Sequence, residues 1–280
     1  MAKPSGVTLG AHSVSHVLKH LRLFANIAGV WSIVVTAAVA ATCFVLAISE
    51  GSDVSAIMMR MQDGDLLRPY LLASGIASTF GQLAIAVGWF RYVLLGERPE
   101  LSFSMPKGSA RYFSRSLILL FGAVVLAIPG FIVGAIVGRF VPGDAGKIAA
   151  AIVMGVGALI AVYICIRAWL VFPAVAIGST DMNFQRSFRL TKGSVAPILI
   201  GTVIAYGLFL LMAIIPMGAI DLTSDYLDGS TYVAATLASE FVVTFLIYAA
   251  VAASAGVLAR IYQDIVPAQR ANPEQIAAFE

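Results

Sequence analysis

Six long apolar segments constrain the fold of this 280-residue chain more than any other feature. A helix needs roughly 20 apolar residues, at about 1.5 Å each, to cross the hydrocarbon core of a bilayer. The segments that meet this length are residues 24–48, 70–95, 112–138, 148–176, 195–220 and 231–262. A membrane-spanning backbone must satisfy its own hydrogen bonds, and these segments lack a two-residue alternation. We therefore predict that all six are α-helices.

The composition supports this class of fold. The chain is 60% hydrophobic and only 12% charged, whereas soluble domains are roughly 45–50% apolar and 25% charged. We expect an all-α, polytopic membrane helix bundle over residues 23–263, with a cytoplasmic interfacial helix in residues 1–22 and a cytoplasmic tail in residues 264–280. Lysines and arginines are not interleaved with aromatic residues in a run, so nucleic acid is not an expected partner.

The positions of the positive charges predict the orientation. Of the 18 lysines and arginines, all lie on the side of the N-terminus except Arg60, Arg68, Arg139 and Lys147. Basic residues accumulate on the cytoplasmic side of membrane proteins. Both termini are therefore predicted to be cytoplasmic.

Two short repeats suggest how the spans are organised. The tripeptide Lys-Gly-Ser occurs at residues 107–109, before the third span, and again at residues 192–194, before the fifth. A proline follows inside each of these spans, Pro129 in one and Pro216 in the other. The pattern predicts three pseudo-repeated hairpins that start and end on the cytoplasmic side, with chance similarity between apolar segments as the alternative.

The connection between the fourth and fifth spans carries the most specific motif. Arg167 and Pro173 end the fourth span, and residues 186–193 then read Arg-Ser-Phe-Arg-Leu-Thr-Lys-Gly. This pattern resembles that of a broad set of bacterial six-span proteins similar to the membrane domain of glycerophosphoryl diester phosphodiesterases. The resemblance implies a location in the bacterial cytoplasmic (inner) membrane. It implies no catalytic residues, because the phosphodiesterase chemistry belongs to a separate soluble domain.

Glu240 is the only acidic residue well inside a predicted span, about 15 Å from the outer end of the sixth helix. A charged carboxylate in the hydrocarbon core is costly, so we expect a bound proton or a hydrogen-bond partner. The candidate partners are Gln82, Tyr163 and Tyr206. One interpretation is an intramembrane polar switch that includes Glu240 and Gln82, and the other is a neutral hydrogen bond between helices.

Basic side chains collect at the predicted cytoplasmic ends of the spans. In that position they can bind the phosphates of anionic lipids in the inner leaflet. The alternative is that they only fix the topology and extend to the interface. The candidate lipid- or phosphate-binding residues are Arg91, Arg167, Arg186, Arg189, Lys192 and Arg260.

All three histidines of the chain lie near its N-terminus. His12, His16 and His20 are four residues apart, which places them on one stripe of an amphipathic helix over residues 10–22. Histidines at this spacing can bind a metal ion, and their protonation can tune contact with lipid. Because the sequence places no carboxylate or thiol beside them, we expect a solvated face and no metal site.

Two further patterns concern packing. Gly130, Gly134 and Gly138 form a stripe that lets another backbone approach closely, either within the chain or in a homo-oligomer. In the first outer loop, apolar residues at helical spacing from Val54 to Met61 predict a short helix.

The sequence has no nucleophile elbow, Walker loop, dinucleotide-binding glycine pattern or zinc-protease motif, so we expect neither an enzyme nor a cofactor. The leading hypothesis is a non-enzymatic integral membrane protein that binds anionic lipid or a membrane-protein partner. The second hypothesis is a small transporter or permease that uses Glu240 as a polar switch. The scarcity of polar residues inside the spans favours the first hypothesis.

Overall fold

The computed structural model describes residues 5–62, 66–98, 105–141, 143–180 and 182–266. Its helices are α1 (Gly6–Lys19), α2 (Leu21–Glu50), α3 (Val54–Gln62), α4 (Leu67–Leu95), α5 (Ser109–Phe140), α6 (Asp144–Ala168), α7 (Val171–Ala176), α8 (Phe184–Leu190), α9 (Val195–Thr223) and α10 (Gly229–Ile265). A 3-10 turn, Ser224–Tyr226, joins the last two helices. Most of the predicted tail, residues 267–280, lies outside the described residues.

Six helical segments are long and apolar enough to cross a membrane. They are Leu21–Glu50, Arg68–Leu95, Ser109–Phe140, Asp144–Ala176, Val195–Thr223 and Gly229–Ile265. The predicted all-α, six-span class is thus confirmed, and the chain is a multi-pass membrane protein. Each segment is longer than its predicted apolar core, because the helices continue into more polar residues at their ends. Pro129 and Pro216 lie inside α5 and α9, and both helices continue past them.

The chain packs as two compact units. The first comprises Met1–Pro106 and Ile200–Ala259, and the second comprises Lys107–Leu199 and Arg260–Glu280. The first unit therefore contains α1 to α4 with most of α9 and α10, whereas the second contains α5 to α8.

Small residues let α1 pack closely inside the first unit. A Cβ atom on Gly10 would lie 2.8 Å from the carbonyl oxygen of Gly201 on α9, and one on Gly256 of α10 would lie 3.2 Å from Ser13 Oγ. Such distances leave no room for a larger residue. The apolar face of α1 is buried as a result, and Val17 is fully inaccessible to solvent.

An apolar cluster of the first unit lies at the end that carries α3. At this end α2 and α9 finish and α4 and α10 begin, and we term it the loop end of the unit. The buried members of this cluster are Val39, Cys43, Ala47, Ile57, Met58, Met61, Ile220 and Tyr232. The short helix predicted in the first outer loop is confirmed as α3. Ile57, Met58 and Met61 of α3 are buried against the neighbouring helices of the same unit, whereas Met59 is exposed.

In the second unit, the glycine stripe of α5 packs against α6. A Cβ atom on Gly130 would lie 2.8 Å from the Cα atom of Gly157, so the two backbones meet there. Gly134 and Gly138 face side chains of α6. A Cβ atom on Gly134 would lie 2.5 Å from Met154 Cγ. Of the two roles that the sequence left open, the structure shows packing within the chain, with Gly134 buried and Gly138 exposed, and contact with a second copy stays a prediction.

The two Lys-Gly-Ser tripeptides share a backbone conformation. Gly108 has a φ of 93° and Gly193 a φ of 81°, both in the left-handed region. Each lies just before a long helix, α5 or α9, where a residue with a Cβ atom would be strained. The shared conformation explains why glycine occurs at both positions, while the three-hairpin repeat itself stays a prediction.

Candidate functional site at Glu240

Glu240 lies on α10 at the loop end of the first unit. The hydroxyl of Tyr70 donates a hydrogen bond to Glu240 Oε2 at 3.1 Å. Tyr70 is in the first turn of α4, which begins at the loop end. The carboxylate of Glu240 therefore lies nearer the loop end than the number of residues between Glu240 and the start of α10 suggests. With 37 residues, α10 is longer than a bilayer core requires, and its first residue is a poor reference for depth.

Tyr70 is not among the expected partners of Glu240, and two of those, Gln82 and Tyr163, have other contacts. The amide nitrogen of Gln82 donates to Ser78 Oγ at 3.1 Å, and the ring of Tyr163 lies 5.8 Å below the Arg167 guanidinium carbon. Sequence reasoning missed Tyr70 because it placed Glu240 at mid-depth, opposite the middle of α4. Gln82 therefore does not share a polar switch with Glu240 by direct contact.

A cavity of about 560 Å³ opens beside Glu240 within the first unit. Its wall is made by residues of α2, α3, α4, α9 and α10. This volume falls in the range of roughly 300–1,000 Å³ that is typical of small-molecule sites. The polar residues that line it are Tyr70, Ser74, Ser78, Asp221, Thr236, Ser239, Glu240 and Thr244.

Two polar stripes account for most of this polar lining. On α4, Tyr70, Ser74 and Ser78 recur every four residues, and on α10 the stripe is formed by Thr236, Glu240 and Thr244. Residues at this spacing share one face of a helix. Both faces therefore line the same cavity. A search for polar residues at i, i+4 and i+8 inside the apolar segments would have found both stripes in the sequence.

The ionisable side chains of the lining that can bear a charge near neutral pH are both acidic. Glu240 is half-buried in the wall, and Asp221, at the end of α9, is exposed. Among the described lining residues there is no lysine, arginine or histidine. Arg60, on the neighbouring α3, forms an ion pair with Glu50. The cavity is therefore a site for a positively charged or hydrogen-bond-donating group.

One wall of the cavity is formed by α3. Met58 and Met61 line the cavity, and Met61 Sδ lies 3.5 Å from the buried thiol of Cys43 on α2. The ion pair between Arg60 and Glu50 joins α3 to the end of the same helix. Within the described residues, histidine, cysteine, aspartate and glutamate form no group of three that could hold a metal ion.

Arg167, a predicted lipid-binding residue, holds together the connection from α6 to α8 in the second unit. Its guanidinium donates to the carbonyl oxygen of Phe188 and lies 5.1 Å from the centre of that ring. In return, Ser187 Oγ and Thr191 Oγ1 donate to the Arg167 carbonyl oxygen at 2.6 and 3.1 Å. The motif that carries the family resemblance is therefore a reciprocal clamp, in which Arg167 is engaged within the chain.

The other predicted lipid-binding residues differ in their surroundings. Arg91 forms a two-point ion pair with Glu97, at 2.6 and 2.8 Å. The exposed members of the set are Arg186, Arg189, Lys192 and Arg260. Exposure leaves these four positions accessible to lipid headgroups, and binding of anionic lipid stays a prediction for them.

The histidine stripe is not a plain solvated face. The ring of His16 lies 5.8 Å from that of Trp89 and 5.9 Å from that of Tyr92, both on α4. The ring nitrogen Nδ1 of His20 is hydrogen-bonded to the Tyr92 hydroxyl at 3.0 Å. Only His12 is exposed. The expected solvated face was thus wrong for His16 and His20, because α1 packs against α4 on this side.

The surroundings of His16 alter its protonation. Burial lowers the pKa of His16 below its ordinary value, and the positive charges of His20, His12 and Lys19 lower it further. The neutral form of His16 is therefore favoured in the folded protein.

Comparison of the chain with protein-family models, with curated proteins and with solved structures finds no match. The resemblance to the phosphodiesterase-associated membrane proteins is therefore still a prediction.

Proposed function

We propose that the protein is a small transporter or permease that binds a solute in the cavity beside Glu240. The observation that carries this proposal is the convergence of two polar stripes on one carboxylate, in a cavity of about 560 Å³. Ionisable groups within membrane-spanning helices are rare and commonly mark solute or proton pathways. The bacterial inner membrane is the proposed location.

The polar cavity favours the transporter hypothesis over the lipid-binding hypothesis. Scarcity of intramembrane polar residues favoured a lipid-binding protein when Glu240 and Gln82 were considered alone. The cavity brings Tyr70, Ser74 and Thr244 close to Glu240, which gives a polar site of the kind that a transport route requires. Arg167, in contrast, is used inside the chain.

The chemistry of such a site follows from the carboxylate. A charged carboxylate in an apolar environment is stabilised by a proton, by a cation or by hydrogen bonds. Tyr70 supplies one hydrogen bond to Oε2, and a solute or a proton supplies the rest. Because a solute and a proton compete for the same oxygens, binding of one favours release of the other.

The orientation of the cavity follows from the charge asymmetry. With both termini on the cytoplasmic side, the loop end of the first unit faces outward. Asp221 then lies at the outer end of α9. Solute would enter the cavity from the outer side, pass Asp221 and then reach Glu240.

Transport can be tested with purified protein in liposomes that enclose a pH-sensitive dye. A panel of organic cations, neutral alcohols and carboxylates is added outside, and movement of protons is followed with time. At least one class should move protons with the wild-type protein, and Glu240→Gln should abolish this movement. The matched control is Asp144→Asn, since Asp144 is an exposed carboxylate paired with Lys147 away from the cavity.

The proposal requires that folding is preserved in the variants. Both should elute from a sizing column and unfold on heating as the wild-type protein does. A Glu240→Gln protein that folds and still moves protons with every solute contradicts the proposal. The same holds if no solute of any class is taken up or moves protons with the wild-type protein.

A further inference from the structure

The polar groups of the cavity differ in whether their hydrogens are still available. The Tyr70 hydroxyl donates to Glu240 Oε2 at 3.1 Å, and the Ser74 hydroxyl donates to the carbonyl oxygen of Tyr70 at 2.8 Å. Both hydrogens are thus used within the chain. The oxygens of these hydroxyls keep lone pairs that can accept from a bound molecule.

Carboxylates extend the same bias. When ionised, Glu240 and Asp221 accept hydrogen bonds and donate none. Ser78 Oγ accepts from Gln82 in the described structure. Apart from Thr236, whose buried hydroxyl has no hydrogen-bond partner and can donate or accept, these groups are acceptors, and a molecule that matches them supplies donors.

Charge points in the same direction. Carboxyl groups line the cavity at two places, Glu240 and Asp221, and the described lining contains no basic side chain. Placing an anion beside Glu240 in an apolar environment adds repulsion to the cost of burying it. A cation instead neutralises the carboxylate and forms charge-assisted hydrogen bonds, which are roughly twice as strong as neutral ones.

The rest of the wall is hydrocarbon and thioether. Val35 and Val39 of α2, Ile247 of α10, and Met58 and Met61 of α3 face the cavity together with further aliphatic side chains. A fully hydrated inorganic cation would leave this surface unmatched, whereas an organic group buries it favourably. Methionine also adapts to ligands of irregular shape.

From these observations we infer that the cavity takes a small amphipathic organic cation, an ammonium group that carries an apolar substituent. The ammonium lies between Glu240 and the hydroxyl oxygens of Tyr70 and Ser74, and the substituent lies against the methionines and valines. This inference rests on the proposed function in placing the solute in this cavity, and adds its chemical class.

Three probes of one size separate charge from shape: 2-phenylethylammonium, 2-phenylethanol and phenylacetate. Their binding to the full chain in lipid nanodiscs is measured by titration calorimetry at neutral pH, with empty nanodiscs subtracted. The ammonium should bind about tenfold more tightly than the alcohol, since it adds a charge-assisted hydrogen bond, and phenylacetate should bind most weakly.

Variants at Glu240 locate the preference. Glu240→Gln should lower the affinity for the ammonium about tenfold and change that for the alcohol by less than about threefold, because only the charge is lost. Glu240→Asp keeps the negative charge and should keep the preference for the ammonium. Thermal unfolding of each variant reports whether it is folded.

Two results overturn the inference in distinguishable ways. If the alcohol or phenylacetate binds as tightly as the ammonium, the chemical class is wrong, while Glu240-dependent proton movement with those solutes would leave the proposed function standing. If no probe binds to the wild-type protein, the inference falls, and the proposed function falls with it only if no solute of the liposome panel is taken up or moves protons.

Discussion

Replacing Gly75 with leucine tests whether the cavity is the solute site. Gly75 lies on α4 and lines the cavity, and a Cβ atom added to it would meet nothing within 4 Å. The new side chain therefore enters open space on a part of α4 that lines the cavity. Leucine also favours helix over glycine by up to about 1 kcal/mol. The protein should remain folded while the cavity becomes smaller.

The expected loss of affinity follows from the volumes of the leucine side chain and of the cavity. A leucine side chain fills on the order of 100 Å³, judged from the ~150 Å³ cavities left when a core leucine is truncated. That is roughly a fifth of the cavity of about 560 Å³. Where the leucine occupies the part of the cavity that the solute uses, packing both together costs typically 1–3 kcal/mol. Affinity for 2-phenylethylammonium should therefore fall roughly 5- to 150-fold.

The assay is titration calorimetry in nanodiscs, with proton movement in liposomes as the second measurement. Gly29→Leu is the matched control, because Gly29 lies on α2, also has nothing within 4 Å of an added Cβ atom, and does not line the cavity. It should leave affinity unchanged within about twofold. Equal affinity in folded Gly75→Leu and wild-type protein would refute placement of the solute in this cavity, as would an equal loss in both variants.

Three further outcomes are expected. Gly130→Ala should destabilise the α5–α6 pair by about 1–3 kcal/mol in thermal or denaturant unfolding, because its Cβ atom meets a backbone. Gly122→Ala is the control and should have no such effect, because a Cβ atom there meets nothing within 4 Å. Equal effects of the two variants would exclude the close contact. The pKa of His16 is lowered in the folded state, so its contribution to stability should be full above the unfolded pKa of about 6.5 and be lost as pH falls below it. His16→Gln should remove this part of the pH dependence of the unfolding midpoint, and an unchanged dependence would contradict it. Replacing both Arg186 and Arg189 with glutamine should reduce the anionic lipid that co-purifies with the protein, as measured by native mass spectrometry, and unchanged retention would exclude a lipid site there.

Much of the fold could be predicted because the membrane leaves few choices. An apolar segment of sufficient length must be a helix in lipid, so the six spans follow from the sequence without knowledge of their contacts. Helix ends depend on local residues as well, and Asp228 illustrates this. Its carboxylate accepts from the backbone nitrogen of Thr231 at 2.7 Å at the start of α10, and this hydrogen bond lowers the pKa of Asp228.

The site could be predicted only in part. Glu240 stands out because a carboxylate in an apolar run is costly. Its partner does not, because Tyr70 is 170 positions away and one tyrosine among nine. The role of Arg167 could not be predicted either. The sequence around a basic residue at a helix end is the same whether that residue contacts a headgroup or the carbonyl oxygen of Phe188.

Six spanning helices, a carboxylate deep in the last apolar segment and a glycine stripe suited to close packing all follow from the order of the residues. The surfaces that meet are known only from the folded chain: Gly130 against Gly157, His16 against Trp89, and the stripe of Tyr70 beside that of Glu240. Length, hydropathy and helical spacing are local properties, whereas a cavity is formed by side chains from helices far apart in the chain. Its polarity depends on which faces turn toward one another.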